Sequence, residues 1–300
     1  MKNAALWIST MRLRTLPLSV SGIILASCLA YYNGQFNWKV FVLAILTTLS
    51  LQILSNLAND YGDGLKGTDN ANRVGPERAI QSGKISPDEM FNAIRINILG
   101  SIILAFFLIF VAFGVKHFFL TGLFFVLGVA SIIAAIRYTV GSNAYGYRAL
   151  GDVFVFIFFG LLSVIGCYVL YAKKLDHVVF LPAFTIGLLS TAVLNLNNMR
   201  DLVSDKASGK ITLAVKFGAK SVKFYHYFLI ISAIIGSGLF GILYYKSLFN
   251  LIYMIAYIPL ILHLIRVVKV DRLEKLDPEL KKLALTTFLL AVLMGVGHIL

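Results

Sequence analysis

The chain has 300 residues, of which 59% are apolar and only 14% charged, a composition that excludes an ordinary soluble domain. Its formal net charge of +13 raises nucleic-acid binding as a function. The distribution argues against it, because the basic residues flank apolar runs instead of forming an arm or a reading helix.

In chain order, residues 2–13 set Trp7, Met11 and Leu13 beside Lys2, Arg12 and Arg14, and read as a short interfacial helix. Apolar runs near 15–32, 38–59, 90–113, 118–138, 152–171, 178–199, 222–244, 249–268 and 281–299 then predict nine transmembrane helices. Leu25-Ala26-Ser27-Cys28 resembles a lipoprotein cleavage box, but the spans that follow favour a first transmembrane helix over a leader. Cys28 and Cys167 both fall inside apolar runs and read as packing residues. The five histidines have no ligand spacing and read as structural or interfacial.

With the N-terminus on the cytoplasmic side, only Lys39, Lys116, Lys173, Lys174 and Lys246 of the 27 Lys and Arg residues fall outside. That is a strong positive-inside signal. The outer loops are then short. The inner loops near 60–89 and 200–221 are long, polar and rich in Gly, Asp, Arg and Lys, which favours function over a mere connection.

The second span runs into Asn56-Leu57-Ala58-Asn59-Asp60-Tyr61-Gly62-Asp63, followed by Lys66 and Asp69. On a helix Asn56 and Asp60 are four apart, as are Asn59 and Asp63, so the pairs project from neighbouring strips of one surface. Carboxylates at a helix C-terminus meet the negative end of the macrodipole and repel one another unless a cation is present. Oxygen donors of this kind suit Mg2+, which commonly bridges to substrate phosphates. The sixth span ends in Asn195-Leu196-Asn197-Asn198-Met199-Arg200-Asp201, with Asp205 one turn further, so Asn197, Asp201 and Asp205 share a helical face. The two motifs close even-numbered spans and emerge on one side. They suggest a single domain, 1–300, of two pseudo-repeat halves, about 15–138 and 152–268, with a ninth helix at 281–299.

Five carboxylates, Asp60, Asp63, Asp69, Asp201 and Asp205, around one mouth call for two divalent ions or a polyvalent cation. A metal-held diphosphate would supply the matching anion, with Arg73, Arg78, Lys84, Arg200 and Lys210 as candidate phosphate contacts. A third polar patch, 137–152, contains Tyr138, Tyr145 and Arg148. Its tyrosines read either as an interfacial belt or as ring faces offered to a carbocation.

These residues resemble a known family. Asn59-Asp60-x-x-Asp63 with Asp69, and Asn198-x-Arg200-Asp201-x-x-x-Asp205, are similar to the two aspartate-rich motifs of the UbiA superfamily of intramembrane prenyltransferases. The resemblance implies an all-α polytopic membrane fold, nine helices in a bundle, in the inner (cytoplasmic) membrane with the active site facing the cytoplasm. Arg73-Val74-Gly75-Pro76-Glu77-Arg78, Tyr145-Gly146-Tyr147-Arg148 and Gly209-Lys210-x-Thr212 are similar to the branch that acts in menaquinone biosynthesis. That branch implies Mg2+-dependent transfer from polyprenyl diphosphate to 1,4-dihydroxy-2-naphthoate, with loss of diphosphate and CO2.

By the same resemblance Asp60, Asp63, Asp69, Asp201 and Asp205 hold metal. Asn56, Asn59, Asn197, Arg73, Arg78, Arg200, Lys210, Tyr138, Tyr145 and Arg148 contact substrates. Gly67 stands where many relatives carry a further acidic residue, and Asp69 takes that place. Ser142-Asn143 stands where relatives carry a lysine, leaving Arg137 and Arg148 as its candidate replacements. Two rival readings are a relative with another acceptor (4-hydroxybenzoate, homogentisate, haem or a chlorin) and a membrane transporter. The clustering of acids at one face, with no matching set outside, weighs against the transporter.

Overall fold

In lipid every backbone N–H and C=O must find a partner within the protein, so long apolar runs become helices. The computed structural model describes residues 2–68, 75 and 77–300, the side chains of Lys2 and Asn3 excepted. Asp69 and Arg73, both expected at the site, lie outside the described residues. Among the described residues nine helices are long and apolar enough to cross a membrane.

A short α1 (Lys2–Thr10) leads through a tight turn into α2 (Leu16–Tyr32), followed by α3 (Trp38–Leu65), α4 (Pro87–Phe113) and α5 (Phe118–Arg137). After the 138–150 connection come α6 (Gly151–Ala172), α7 (Phe180–Arg200) and the short α8 (Leu202–Ala207). The chain ends with α9 (Leu213–Leu243), α10 (Leu248–Lys269) and α11 (Asp277–Ile299). The spans expected from sequence agree closely with these limits. The largest differences are in α9, which begins nine residues before the expected start at 222, and in α3, which continues six residues past the expected end at 59, so that the first acidic motif is helical as far as Leu65.

Local signals set several ends. The Asn37 side chain accepts from the Lys39 and Val40 amides to start α3. Ser86 and Glu89 form a reciprocal capping box at α4, with Pro87 in the first turn. Thr212 caps α9. Gly218, at φ +74°, breaks α9 one and a half turns in, a few residues before the expected start near 222.

Helix α2 is central and touches α3, α6, α7 and α11. On one side α3 packs on α4 and α5; on the other α7 packs on α6 and α9, and α11 on α2 and α10. Within α6, residues Phe156–Gly166 form wide π-helical turns. There Gly160 meets Gly187 of α7 so closely that a Cβ on Gly160 would stand 2.5 Å from the Gly187 Cα and 2.7 Å from the Ala183 carbonyl oxygen. Backbone cannot yield as a side-chain tip does. Gly160→Val is therefore expected to separate the two helices and cost about 1–3 kcal/mol, read as a lower thermal midpoint in a fixed detergent.

Candidate functional site

The α3 and α7 helices end on the same side of the bundle, and their acidic tips border a single cavity of about 700 Å³. Its polar end is lined by Asn59, Asp63, Thr68, Arg78, Asn197, Asp201, Ser204, Asp205 and Lys210. Further in, Leu108, Ile109, Phe124, Phe158, Phe159, Leu162 and Leu170 give it apolar walls. The two motifs also touch through the residues beside them. Lys210, which follows the second motif, reaches the Asp63 carboxylate of the first at 3.4 Å.

Asp63 is held through both carboxylate oxygens, Oδ2 by Lys210 and Oδ1 by a tyrosine. Its Oδ1 accepts from the Tyr147 hydroxyl at 2.7 Å, and that hydroxyl is 2.6 Å from the Thr68 hydroxyl. The Lys66 ammonium lies 3.9 Å from the Tyr147 ring centroid and donates to the Thr139 carbonyl at 2.7 Å. Partial burial lowers the Lys66 pKa, and the Asp63 charge opposes this. Burial pushes the Tyr147 hydroxyl well above its ordinary value, with the Asp63 charge adding to the shift, so it stays a neutral donor.

The 138–150 connection joins the motifs. Thr139 donates to the Ala58 carbonyl at 2.9 Å, an approach open only because residue 62 is glycine: a Cβ there would stand 2.6 Å from the Thr139 hydroxyl. At the other end the Ala149 amide donates to the Ile211 carbonyl at 2.7 Å, and Arg148 and Ile211 form a single backbone bridge. Gly151 leaves room for the Tyr138 ring, 3.2 Å from where its Cβ would be.

The first motif divides across the α3 surface. Asn59 and Asp63 line the cavity; Asn56 and Asp60 do not. Asn56 turns to the N-terminal segment, donating to the Met11 carbonyl at 2.9 Å and the Thr15 hydroxyl at 3.3 Å. Asp60 is buried, and its Oδ1 has no hydrogen-bond partner. The second motif keeps its helical register across the α7–α8 break, with Asp201 N bonded to Asn197 O and Asp205 N to Asp201 O, so Asn197, Asp201 and Asp205 all line the cavity.

Arg200 is not on the wall. Its side chain is 1% exposed and makes paired bonds to Asp201 at 2.6 and 2.7 Å, another to Asp277 at 2.6 Å and a fourth to Asn197 at 2.9 Å. The sequence reading made Arg200 a phosphate contact; in the structure its guanidinium is instead paired with the second motif and ties the end of α7 to the start of α11. Arg148 and Arg137 are exposed and away from the cavity, so neither stands where the missing lysine's contact was sought. Lys66 and Lys210 bring positive charge to Asp63 instead.

Tyr138 and Tyr145 both line the cavity, rings edge to face at 5.3 Å. Tyr145 is immobilised by stacking on Phe154 and by donation from its hydroxyl to the Ala134 carbonyl. Sequence reasoning missed Lys66, Tyr147, Gln52, Ser55 and Asp277, and took Arg12 and Arg14 only as membrane anchors. Tyr147 belonged to the polar patch already singled out, but nothing in its spacing marked it as the one that reaches Asp63.

Among the described residues no three His, Cys, Asp or Glu side chains converge closely enough to hold an ion unaided. The oxygens present still fit Mg2+, which is commonly held by one or two carboxylates together with substrate phosphates. Asp63 and Asp205 face the cavity, and the orphaned Asp60 Oδ1 is a buried acceptor of the kind a cation satisfies.

The sequence model of the UbiA prenyltransferase family matches residues 20–293. The chain is 42% identical over 272 residues to 1,4-dihydroxy-2-naphthoate octaprenyltransferase of Escherichia coli, covering 91% of this chain and 86% of that one. It is 41% identical over 296 residues to the protein of the same description from Haemophilus influenzae, covering 97% and 95%. The solved structure of a UbiA homologue from Archaeoglobus fulgidus bound to DMAPP and Mg2+ superposes with a TM-score of 0.61 at 16% identity, covering 96% of this chain and 98% of that one.

Proposed function

Because the chain belongs to the UbiA prenyltransferase family, we propose that it transfers a polyprenyl group from polyprenyl diphosphate to 1,4-dihydroxy-2-naphthoate, releasing diphosphate and CO2 and giving demethylmenaquinol. The observation that carries this reading is the single cavity with Asp63, Asp201, Asp205 and Lys210 at one end and a long apolar wall beyond them. An amphiphile with a polyanionic head and a hydrocarbon tail matches that division. The names of the relatives supply the acceptor.

Asp63 and Asp205 would hold Mg2+, with Asp60 behind the cavity wall and Asp69 as further donors, and the ion would supply charge neutralisation to the leaving diphosphate. Lys210 and Arg78 complement the phosphate oxygens from the protein side. The apolar walls hold the prenyl chain and exclude water, which would otherwise capture the allylic cation left when the C–O bond breaks. The Tyr138 ring presents π density to that cation. Burial raises the Tyr138 pKa, so the phenol stays neutral and does not itself act as nucleophile. The acceptor ring forms the new C–C bond at the carbon bearing the carboxylate, and the C–CO2 bond then breaks, its electron pair restoring the aromatic ring. The excess of basic residues at this end supports a cytoplasm-facing site, and the proposed reaction is assigned to the inner membrane.

The test is purified protein with dihydroxynaphthoate, an allylic diphosphate and Mg2+. Lipid-soluble product and CO2 are expected in equal amounts, with turnover stopped by a chelator and restored by Mg2+. Product without CO2, or product only from another aromatic acceptor, overturns the assignment.

A further inference from the structure

Part of the cavity wall belongs to neither acidic motif. Arg12, Thr15, Ser19, Gln52 and Ser55 contribute it, from the turn before α2, the start of α2 and the second half of α3. Arg12 has φ +50° and ψ +58°, a left-handed conformation that a bulky residue adopts only when its surroundings enforce it. Here they do. The Thr15 amide and hydroxyl both donate to the Arg12 carbonyl at 2.9 Å, and Asn56 grips the chain on either side of Arg12 through the Met11 carbonyl and the Thr15 hydroxyl. Gln52 in turn donates to Asn56 Oδ1 at 3.2 Å. An asparagine of the first motif is thus committed to an N-terminal turn. The effect of that turn is to aim a half-buried guanidinium, its Nε and Nη2 shielded from solvent, at the cavity. The guanidinium lies within electrostatic range of both Asp63 and the Tyr138 hydroxyl.

We propose that Arg12 holds the carboxylate of the aromatic acceptor, and that Asn56 is the positioning residue that sets its turn. The inference rests on the reading of the cavity as a prenyl-transfer site. The planar two-pronged guanidinium matches a carboxylate. Thr15, Gln52 and Ser55 beside it offer neutral donors and acceptors suited to ring hydroxyls. Lys210 and Arg78 already serve the end where the diphosphate binds, and the apolar walls are taken by the prenyl chain. An acceptor held on Arg12 would share the cavity with Asp63 and Tyr138, both within electrostatic range of the guanidinium.

The experiment uses the full chain in lipid nanodiscs. Arg12→Gly preserves the left-handed turn and removes only the side chain. The acceptor KM is expected to rise about tenfold to a hundredfold, with the KM for allylic diphosphate unchanged. Direct binding gives a second reading. Wild type is expected to bind 1-hydroxy-2-naphthoate more tightly than its methyl ester, and Arg12→Gly to lose that preference. Asn56→Ala, which loosens the turn, should raise the acceptor KM less, and Arg12→Lys should fall between wild type and Arg12→Gly. A rise in the diphosphate KM instead, or an unchanged ester preference in the folded variants, overturns the inference. If wild type prenylates no naphthoate, the proposed function fails, while the two binding arms still decide whether Arg12 recognises a carboxylate.

Discussion

Asp63→Asn is expected to slow prenyl transfer about a thousandfold while the protein keeps its fold. The side chain keeps its size, and the amide oxygen still accepts from Tyr147, whose hydroxyl now meets the carboxylate at 2.7 Å. What is lost is charge. Lys210 loses the carboxylate it meets at 3.4 Å, and the proposed metal-held diphosphate loses a charged donor. A metal acting as Lewis acid contributes several kcal/mol, and each 1.36 kcal/mol is a factor of ten in rate, so a loss near three decades follows. Tyr147→Phe is the matched control. It removes one hydrogen bond and leaves the carboxylate, and about a tenfold loss is expected. The measurements are single-turnover rates with saturating substrates over a range of Mg2+ concentrations, beside thermal midpoints of both variants. Equal losses in the two would make Asp63 a residue that orients Tyr147 and not a metal donor. Wild-type activity in Asp63→Asn would remove the metal assignment.

The membrane spans were legible because each is an uninterrupted apolar run, and because lipid leaves the backbone of such a run little choice but helix. Gly218 was not read as a break: Lys216, Lys220 and Ser221 only kept the expected span from starting before it. The site was legible as a pair of acidic helix tips, but its orientation was not. Spacing of four places Asn56 with Asp60 and Asn59 with Asp63, yet it does not tell which strip faces the cavity. That depends on contacts far away in the chain, with Thr139 packing against Gly62 on one side of α3 and Met11 and Thr15 meeting Asn56 on the other. Basic residues were harder still. A positive-inside anchor, a phosphate ligand and a buried counter-ion are the same letter in a sequence. Arg148, exposed, Lys210, beside Asp63 on the cavity wall, and Arg200, buried among carboxylates, are told apart only by their surroundings.

Arg200→Ala should be the most destabilising change in the half of the bundle that carries the acidic motifs. It strips one guanidinium from three partners at once and leaves Asp201, 8% exposed, without its paired hydrogen bonds. Removing one member of a buried ion pair costs about 3–5 kcal/mol, because the remaining charge stays desolvated. Against a total stability of about 5–15 kcal/mol, that threatens the fold itself. Arg200→Lys keeps the charge, but a single ammonium cannot span Asp201 and Asp277 in the fork geometry, so an intermediate loss is expected. Asp277→Asn should be the mildest, since Asp277 is 37% exposed and water screens what remains. Thermal midpoints in one detergent are therefore expected in the order Arg200→Ala, Arg200→Lys, Asp277→Asn, wild type, from lowest to highest. The same series separates the two readings of this arginine. A phosphate contact, as the sequence alone suggested, predicts an unchanged midpoint and a higher KM for the allylic diphosphate; an internal tie between α7 and α11 predicts the reverse.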